Sequence, residues 1–275
     1  NIADMNKIKE FMICQRPQHA VLVGGGALGI EIADNLQLAG IHTTIVEMSN
    51  HIFNILDDEM SCEITSHIRS KGVDIVLGTA VYSIEEHSVT TGNGTVIPAD
   101  LVVLSTGVEP DTGFLRDSPI HLNQRGAIIV NQRLHTNMPG VYAVGDAVAI
   151  EHFITGQETY IPLAGPANKE GRIVANNIFG FMQSRYKGTQ GTSIVKCFDM
   201  TAASTGISER TAKDAGVQYE KSYTISPSHA SYYPGAKPIT IKLIFDKVFN
   251  RILGAQVVGY EGVDKRCDVL ACRAA

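Results

Sequence analysis

Apolar runs and helical repeats alternate over the first third of the chain. Residues 19–24 form an apolar, β-branched run that ends in glycine, which is typical of a buried parallel strand. Leu28, Ile32 and Leu36 then recur at i, i+4 and i+8, so they predict a helix whose apolar face they form. A second β-branched run at 41–46 predicts the next strand.

A second helix and a third strand follow in the same order. Asp57 and Asp58 mark the expected start of the helix, because acidic side chains are favourable at a helix N-terminus. Its expected buried face consists of Met60, Ile64 and Ile68. Residues 73–77 predict the third strand. This alternation predicts a parallel α/β unit, a Rossmann-like doubly wound domain.

The pattern changes after residue 78. Residues 79–98 predict two or three antiparallel strands, residues 99–105 predict another buried strand, and residues 140–146 resemble a buried strand that ends at Asp146. A helix is predicted from about residue 166 to 177. The remaining predicted elements are strands at 192–199, 220–225, 238–245 and 251–259, a short helix near 208–215 and a last helix that opens at 262–264.

Composition narrows the class of protein. The chain of 275 residues is 44% hydrophobic and 19% charged, with a net charge of −5, which is typical of a globular protein and argues against a nucleic-acid partner. Every apolar run is shorter than the roughly 18 residues of a membrane helix, and no secretory signal pattern opens the chain, so we expect a cytoplasmic protein with no membrane segment. The five cysteines form no CxxC pair, so neither a disulfide framework nor a metal site is indicated.

The sequence GGGALG at residues 24–29 matches the GxGxxG dinucleotide motif between a predicted strand and a predicted helix. Gly24 permits the tight turn, Gly26 lets the backbone approach a pyrophosphate, and Gly29 lets the helix pack on the strand. Ala27 and Leu28 complete the turn at the helix N-terminus, where free N–H groups and the helix dipole favour an anion. The motif therefore predicts a dinucleotide site.

Glu47 ends the second predicted strand, about 20 residues after the motif, where a ribose-binding acid is expected. A carboxylate accepts hydrogen bonds from a ribose 2′-hydroxyl and repels a 2′-phosphate, and the next four residues contain no arginine. We therefore expect NADH rather than NADPH. The alternative is an exposed carboxylate with no ligand.

Three further stretches resemble the FAD-dependent pyridine nucleotide–disulfide oxidoreductases. STGVEP at 105–110, with Thr106 and Gly107, is similar to the loop that closes the NADH domain of that family. TNMPGVYAVGDA at 136–147 is similar to the second flavin fingerprint, in which the residue at Asp146, preceded by Gly145, bonds the ribityl chain of FAD.

The third stretch, IPLAGPAN at 161–168, leads into a predicted helix. In the family this helix N-terminus faces the flavin pyrimidine, where backbone N–H groups stabilise negative charge. The resemblance assigns the following residues to the FAD site: Pro162, Leu163, Ala164 and Ala167.

The C-terminal third resembles coenzyme A-disulfide and coenzyme A-persulfide reductases, in SHASYYPGA at 228–236 and GYEGVDKRCDVL at 259–270. The resemblance implies a homodimer in which Tyr232 or Tyr233 reaches the partner's active site as a proton donor to a leaving thiolate. Either tyrosine could instead be a packed turn aromatic. Glu31 matches a family glutamate near the nicotinamide, or is a solvated helix residue.

Two departures from the family pattern matter. Many relatives have an aromatic residue in place of Ala27, which covers the flavin until NADH arrives. The family's first FAD-binding segment and its redox cysteine lie upstream of the NADH domain, and its final tyrosine motif would follow residue 275. We therefore expect the chain as given to lack the redox nucleophile and part of the flavin site.

Together these patterns predict an α/β protein with three parts. They are an NADH-binding domain (1–110), a second segment of an FAD-binding domain (111–186) and an incomplete α+β C-terminal interface domain (187–275). Three functions remain open: a flavin-dependent NADH reductase of coenzyme A disulfide or persulfide, an NADH oxidase or peroxidase that reduces oxygen or peroxide, and a non-catalytic nucleotide-binding module.

Overall fold

A computed structural model describes residues 2–180 and 184–274 of the chain. The backbone separates into two compact units. The first unit comprises Asn1–Gly107, Val195–Ala202 and Val258–Glu261, and the second comprises Val108–Ile194, Ala203–Val257 and Gly262–Ala275.

The described residues form six α-helices and fifteen strands. The helices are α1 (Ile2–Gln15), α2 (Ala27–Leu38), α3 (Asp58–Ser70), α4 (Ala164–Phe179), α5 (Glu209–Asp214) and α6 (Val263–Ala274), with a short 3-10 helix at Gly113–Leu115. The first seven strands are β1 (His19–Val23), β2 (His42–Val46), β3 (Asp74–Val76), β4 (Val81–Ile84), β5 (Ser88–Thr91), β6 (Val96–Pro98) and β7 (Leu101–Leu104). The others are β8 (Ile128–Ile129), β9 (Val148–Glu151), β10 (Glu158–Thr159), β11 (Ser193–Cys197), β12 (Met200–Gly206), β13 (Tyr219–Pro227), β14 (Pro238–Asp246) and β15 (Ile252–Gly259).

The first unit contains a four-stranded parallel sheet in the order β3-β2-β1-β7. The middle of β1 is fully buried, as its unbroken apolar run requires in a sheet covered on both faces. In the sheet register, Val23 at the end of β1 pairs with Leu104 at the end of β7. The segments that follow these two strands therefore start at the same edge of the sheet. This arrangement confirms the predicted Rossmann-like region.

The predicted apolar face of α2 is confirmed at Leu36, which is buried, and at Ile32, which packs against the core, but it is wrong at Leu28. Its buried residues are Gly29, Ile30, Ala33 and Leu36, whereas the side chain of Leu28 is 57% exposed. The reason is the close approach of α2 to the turn after β1: a Cβ atom at Gly29 would collide with the carbonyl oxygen of Gly24. This contact fixes which side of α2 lies inward, with Ile30 and Leu36 beside Gly29 and Ala33, and it leaves Leu28 on the exposed side.

The other helices and strands predicted for this unit are confirmed. Helix α3 buries Met60, Ile64 and Ile68 completely and starts next to Asp57, its N-cap residue. Residues 79–98 form the small antiparallel sheet β4-β5-β6. Helix α1 was not predicted. None of its described residues is buried. A helix without a buried face needs no apolar stripe, so its sequence gives no strong amphipathic pattern.

In the second unit, the prediction of a buried strand at 140–146 is wrong. This stretch makes one isolated bridge, between His135 and Tyr142, and the regular strand begins only at Val148. Val141 and Val144 are exposed, so the apolar residues of the stretch do not form a continuous buried run. Asp146 consequently lies in a turn that precedes β9, not at the end of a strand.

A five-stranded sheet has the order β11-β12-β15-β14-β13. Its strands β13 and β14 pair in antiparallel register from Tyr219 opposite Asp246 to Pro227 opposite Pro238. The sequence predicted four of these strands and missed β12, whose residues MTAASTG are mostly small and polar. Among residues 2–180 and 184–274, we find no helix with the length and apolar character that crossing a membrane requires.

Candidate functional site

The turn after β1 is held in a conformation that glycine alone adopts without strain. Gly24 has φ 112°, and a Cβ atom there would lie 2.5 Å from the carbonyl oxygen of Ser105. The Ser105 hydroxyl donates to the carbonyl oxygen of Gly24 at 2.9 Å, and the Gly24 N–H donates to Val46 at 2.9 Å. The turn is thus fixed by both neighbouring strands.

Gly26 is the N-cap residue of α2, and no described atom lies within 4 Å of the position of a Cβ atom there. In the described part of the chain no side chain caps this helix, and its first turn contains no acidic residue. The first N–H groups of an α-helix have no partner within the helix, so those at Ala27 and Leu28 point toward an open space that suits an anion. A pyrophosphate fits this position.

Glu47 is buried, with 8% of the residue exposed, so it is not the solvated carboxylate of the alternative interpretation. One carboxylate oxygen accepts the N–H of Gly25 at 2.7 Å, and the other accepts the N–H of Ser49 at 2.8 Å. Each oxygen has a second lone pair, so the carboxylate retains the capacity to accept a ribose hydroxyl. The acid and the glycine turn therefore form one connected structure.

The other predicted residues of the first unit are exposed. Thr106 and Gly107 follow β7 in an irregular loop, and Gly107 has φ 116°. Glu31 lies on the exposed side of α2 and contributes to the wall of an open groove of about 700 Å³, together with Lys71 and Phe198.

In the second unit, the turn at Gly145 and Asp146 is fixed on both sides of its glycine. The Gly145 N–H donates to Oε2 of Glu170 at 2.7 Å, and its carbonyl oxygen accepts the N–H of Val148 at 3.2 Å. Gly145 has φ 82°, and Asp146 is exposed. The carboxylate of Asp146 is thus free to meet a ligand while its backbone is held in place.

The start of α4 lies beside this turn. Leu163 is the N-cap residue, preceded by Pro162, and within the described residues no side chain caps the helix. A Cβ atom at Gly145 would lie 3.9 Å from that of Ala167, so the turn approaches the first two turns of α4. Uncapped N–H groups beginning at Ala164 therefore lie near the Asp146 turn, an arrangement that suits the negatively polarised edge of a flavin.

Glu170 was missed by the sequence reasoning. It is 1% exposed, and burial, reinforced by the nearby charge of Asp146, raises the pKa of its carboxyl group, whereas the hydrogen bond from Gly145 lowers it. Burial and the charges of Asp146 and Glu109 raise the pKa of Tyr160 in the same region. The only sequence signal is the i, i+3 spacing from Ala167, which places both residues on one face of α4.

Tyr232 and Tyr233 lie in the loop between β13 and β14 and are 84% and 63% exposed. Their rings contact each other, with centroids 5.3 Å apart. The base of the loop is closed by the Ser228 N–H, which donates to the carbonyl oxygen of Lys237 at 2.8 Å. The two rings are therefore presented to solvent on an anchored loop, and in this unit they are not packed into the core.

The buried cysteines are poor nucleophiles at neutral pH. Burial raises the pKa of Cys197 to about 12 and that of Cys267 to about 11, so both remain protonated thiols. Cys14, Cys62 and Cys272 are exposed.

Comparison with known families decides the class of the protein. The family model described as pyridine nucleotide-disulphide oxidoreductase matches residues 2–171. The chain belongs to this family. The model of the family's dimerisation domain matches residues 192–272. Both matches confirm the family resemblance, and the family is one of oxidoreductases.

A coenzyme A disulfide reductase of Staphylococcus aureus (strain bovine RF122 / ET3-1) is 32% identical over 271 residues, which are 98% of this chain and 61% of that protein. A reduced CoADR-RHD of Bacillus anthracis has a TM-score of 0.97 at 41% identity, over 100% of this chain and 50% of the other. A NAD-dependent persulfide reductase from A. fulgidus has a TM-score of 0.96 at 36% identity, over 100% and 51%.

A water-forming NADH oxidase from Lactobacillus brevis, bound to NADH, has a TM-score of 0.93 at 26% identity, over 99% of this chain and 60% of the other. The chain thus spans about 61% of the length of the curated relatives it matches. The family match and these neighbours support the prediction of FAD and NADH as cofactors.

Proposed function

We propose that this chain is the nucleotide-binding and C-terminal part of a flavin-dependent NADH:disulfide oxidoreductase. The observation that carries the proposal is the glycine turn of residues 24–29 connected to the buried Glu47. The proposal assigns residues 1–110 to NADH binding, 111–186 to FAD binding and 187–275 to an interface domain of a homodimer. The match to a dimerisation domain supports the last assignment.

Each predicted nucleotide residue then has a physical role. The open N-terminus of α2 at Gly26 binds the NADH pyrophosphate through backbone N–H groups. Glu47 accepts the ribose 2′-hydroxyl and repels a 2′-phosphate, so NADH is favoured over NADPH. Thr106 and Gly107, which begin at the same sheet edge, and Glu31, one turn along α2, are assigned to the nicotinamide end.

FAD bound here would supply the redox chemistry that links the hydride of NADH to the two-electron reduction of the acceptor. The chain's own residues hold the flavin and adjust its surroundings. Asp146 would accept hydrogen bonds from the ribityl hydroxyls, and the uncapped N–H groups at the N-terminus of α4 would stabilise negative charge on the flavin.

We propose a coenzyme A disulfide or persulfide as the acceptor. The similarity to a coenzyme A disulfide reductase over 98% of this chain supports this substrate class. Tyr232 or Tyr233 donates a proton to the leaving thiolate, since both phenols are exposed on an anchored loop. Replacement of each tyrosine by phenylalanine, one at a time, identifies which phenol is the proton donor, since only its loss should slow reduction of the disulfide.

An NADH oxidase is the second candidate, because the Lactobacillus brevis neighbour has the same fold over 99% of this chain. A nucleotide-binding module without turnover is the third. Reduction of coenzyme A disulfide by NADH, without oxygen consumption, supports the first candidate. Oxygen consumption that is independent of added disulfide supports the second, and tight NADH binding without flavin or turnover supports the third.

The first test is a titration of the purified chain with NADH and NADPH, recorded together with its flavin absorbance. We expect NADH to bind more tightly than NADPH. A folded chain that binds neither nucleotide would contradict the assignment of Gly24, Gly26, Gly29 and Glu47, on which the proposal depends.

A further inference from the structure

Glu170 is a buried acid that the proposed reaction does not use directly. Its carboxyl group lies on α4 and is almost completely removed from solvent. Burying an ionisable carboxyl group costs free energy that a neutral amide would avoid, so packing alone does not explain an acid at this position. One of its carboxyl oxygens accepts a hydrogen bond from the N–H of Gly145, the residue before Asp146.

This hydrogen bond affects the direction of the neighbouring Asp146 side chain. The N–H of Gly145 is held by α4 through Glu170, and the carbonyl oxygen of Gly145 is held by β9 through Val148. The left-handed φ of Gly145 directs the chain sharply at this point. Because the backbone is fixed on both sides of the turn, the direction of the exposed Asp146 side chain depends on the Glu170 contact.

We propose that Glu170 is a positioning residue of the flavin site, which fixes the Gly145–Asp146 turn so that Asp146 is aimed at the ribityl hydroxyls. This inference rests on the proposed binding of FAD. A hydrogen bond to a carboxyl oxygen at 2.7 Å is short enough to restrain the turn. Besides Asp146, the titratable group that faces Glu170 is Tyr186, whose pKa is raised to about 12 chiefly by burial and also by Glu170.

The test compares three substitutions of Glu170 in the protein expressed from its natural gene. Glu170→Gln keeps an acceptor oxygen at the same distance, Glu170→Asp withdraws the carboxylate by one methylene, and Glu170→Ala removes it. The matched control is Lys169→Ala, which changes an exposed residue of the same helix. FAD affinity is measured by flavin fluorescence quenching, and NADH affinity is measured in parallel.

We expect Glu170→Ala and Glu170→Asp to weaken FAD binding about 10- to 100-fold. In both variants the Gly145 N–H loses its hydrogen-bond acceptor, so the turn is no longer restrained. Glu170→Gln should restore affinity to within about threefold of the wild type. NADH affinity should be unchanged in every variant. If the Ala variant does not fold, comparing the Asp and Gln variants still shows whether FAD affinity depends on the position of the acceptor oxygen or on its charge.

A second readout does not depend on the flavin. In protein labelled with [15N]glycine, the amide resonance of Gly145 should move with pH as Glu170 titrates, and this movement should vanish in Glu170→Gln. Wild-type FAD affinity in Glu170→Asp, or a Gly145 amide that does not follow Glu170, would overturn the inference alone. A wild-type protein that binds no FAD would overturn the proposed flavin site, and the role of Glu170 with it.

Discussion

The two turns of the proposed cofactor sites share one contact and differ in how the acid is supported. In each, a buried carboxyl group accepts a glycine N–H at 2.7 Å: Glu47 from Gly25, and Glu170 from Gly145. Glu47 also accepts the N–H of Ser49 on its second oxygen. Glu170 lies instead near a second acid, Asp146, and its carboxyl group has a raised pKa.

This difference shows which residues of a cofactor site a sequence motif can identify. Gly24 and Gly29 are required by contacts with neighbouring backbone, so the spacing of these two glycines is a direct consequence of the fold. At Gly145 the contact partner is a side chain on a helix 25 residues later. Close backbone packing therefore restricts the first turn, whereas the N–H of Gly145 in the second turn is held by the side chain of Glu170.

The largest effect is expected where the backbone itself is packed. Gly29→Ala places a Cβ atom against the carbonyl oxygen of Gly24 and 2.9 Å from the Ser105 hydroxyl. Because the backbone at Gly24 can move away only at a large cost in free energy, we expect the free energy of unfolding to fall by roughly 3 kcal/mol or more. NADH binding should be abolished. Denaturant unfolding and NADH titration measure the two quantities.

Gly26→Ala is the matched control, since no described atom lies near its Cβ position. It should cost about 1 kcal/mol of stability or less, yet weaken NADH binding, because the methyl group occupies the space assigned to the pyrophosphate. Equal NADH affinity in this variant and the wild type would place the pyrophosphate elsewhere.

The second effect concerns the acid of the same turn. Glu47→Ala leaves the N–H groups of Gly25 and Ser49 without their acceptor, so the free energy of unfolding should fall by about 2–4 kcal/mol. NADH affinity should fall about 10- to 100-fold, while NADPH affinity changes less. The exposed Glu86→Ala, in the same unit, serves as the control. An unchanged preference between the two nucleotides would show that Glu47 does not contact the ribose.

Sequence reasoning succeeded where the backbone dictates residue type. The glycines of the first turn and the helix α3 with Met60, Ile64 and Ile68 inward were predictable from spacing alone. It failed at Leu28 of α2, because the close contact at Gly29 fixes which side of the helix lies inward and leaves Leu28 exposed.

Two other failures have related causes. Residues 140–146 look apolar but lack a continuous partner strand, and pairing with a distant segment is not encoded in a local run. Glu170 could not be predicted as a site residue, since an acid in a helix is ordinarily solvated and only the three-dimensional contact with Gly145 distinguishes it.

The third effect concerns Asp146, the exposed acid of the flavin turn. Asp146→Asn should change the free energy of unfolding by about 0.5 kcal/mol or less, because the side chain is exposed. FAD affinity should nevertheless fall about 10-fold or more through the loss of a charged acceptor. Asp117→Asn, also exposed in this unit, should leave FAD affinity unchanged. Equal FAD affinity in both variants would contradict the role of Asp146.

The smallest expected effect is the pH dependence of stability that Glu170 contributes. Since burial and Asp146 raise the pKa of Glu170 in the folded state, the folded protein binds this proton more tightly than the unfolded chain. Stability linked to Glu170 is therefore fully present below the unfolded pKa and is lost as pH rises through the folded pKa. Glu170→Gln keeps an acceptor for Gly145 and has no proton to lose, so it should gain thermal stability relative to the wild type as pH rises through that window.

Thermal unfolding of both proteins between pH 4 and pH 8 measures this difference. We expect the midpoint of Glu170→Gln minus that of the wild type to increase with pH, and Asp146→Asn to reduce the increase by removing the neighbouring charge. A difference that is constant across the range would mean that Glu170 titrates as it does in the unfolded chain. The contrast between the two turns would then rest on the Ser49 contact of Glu47 alone.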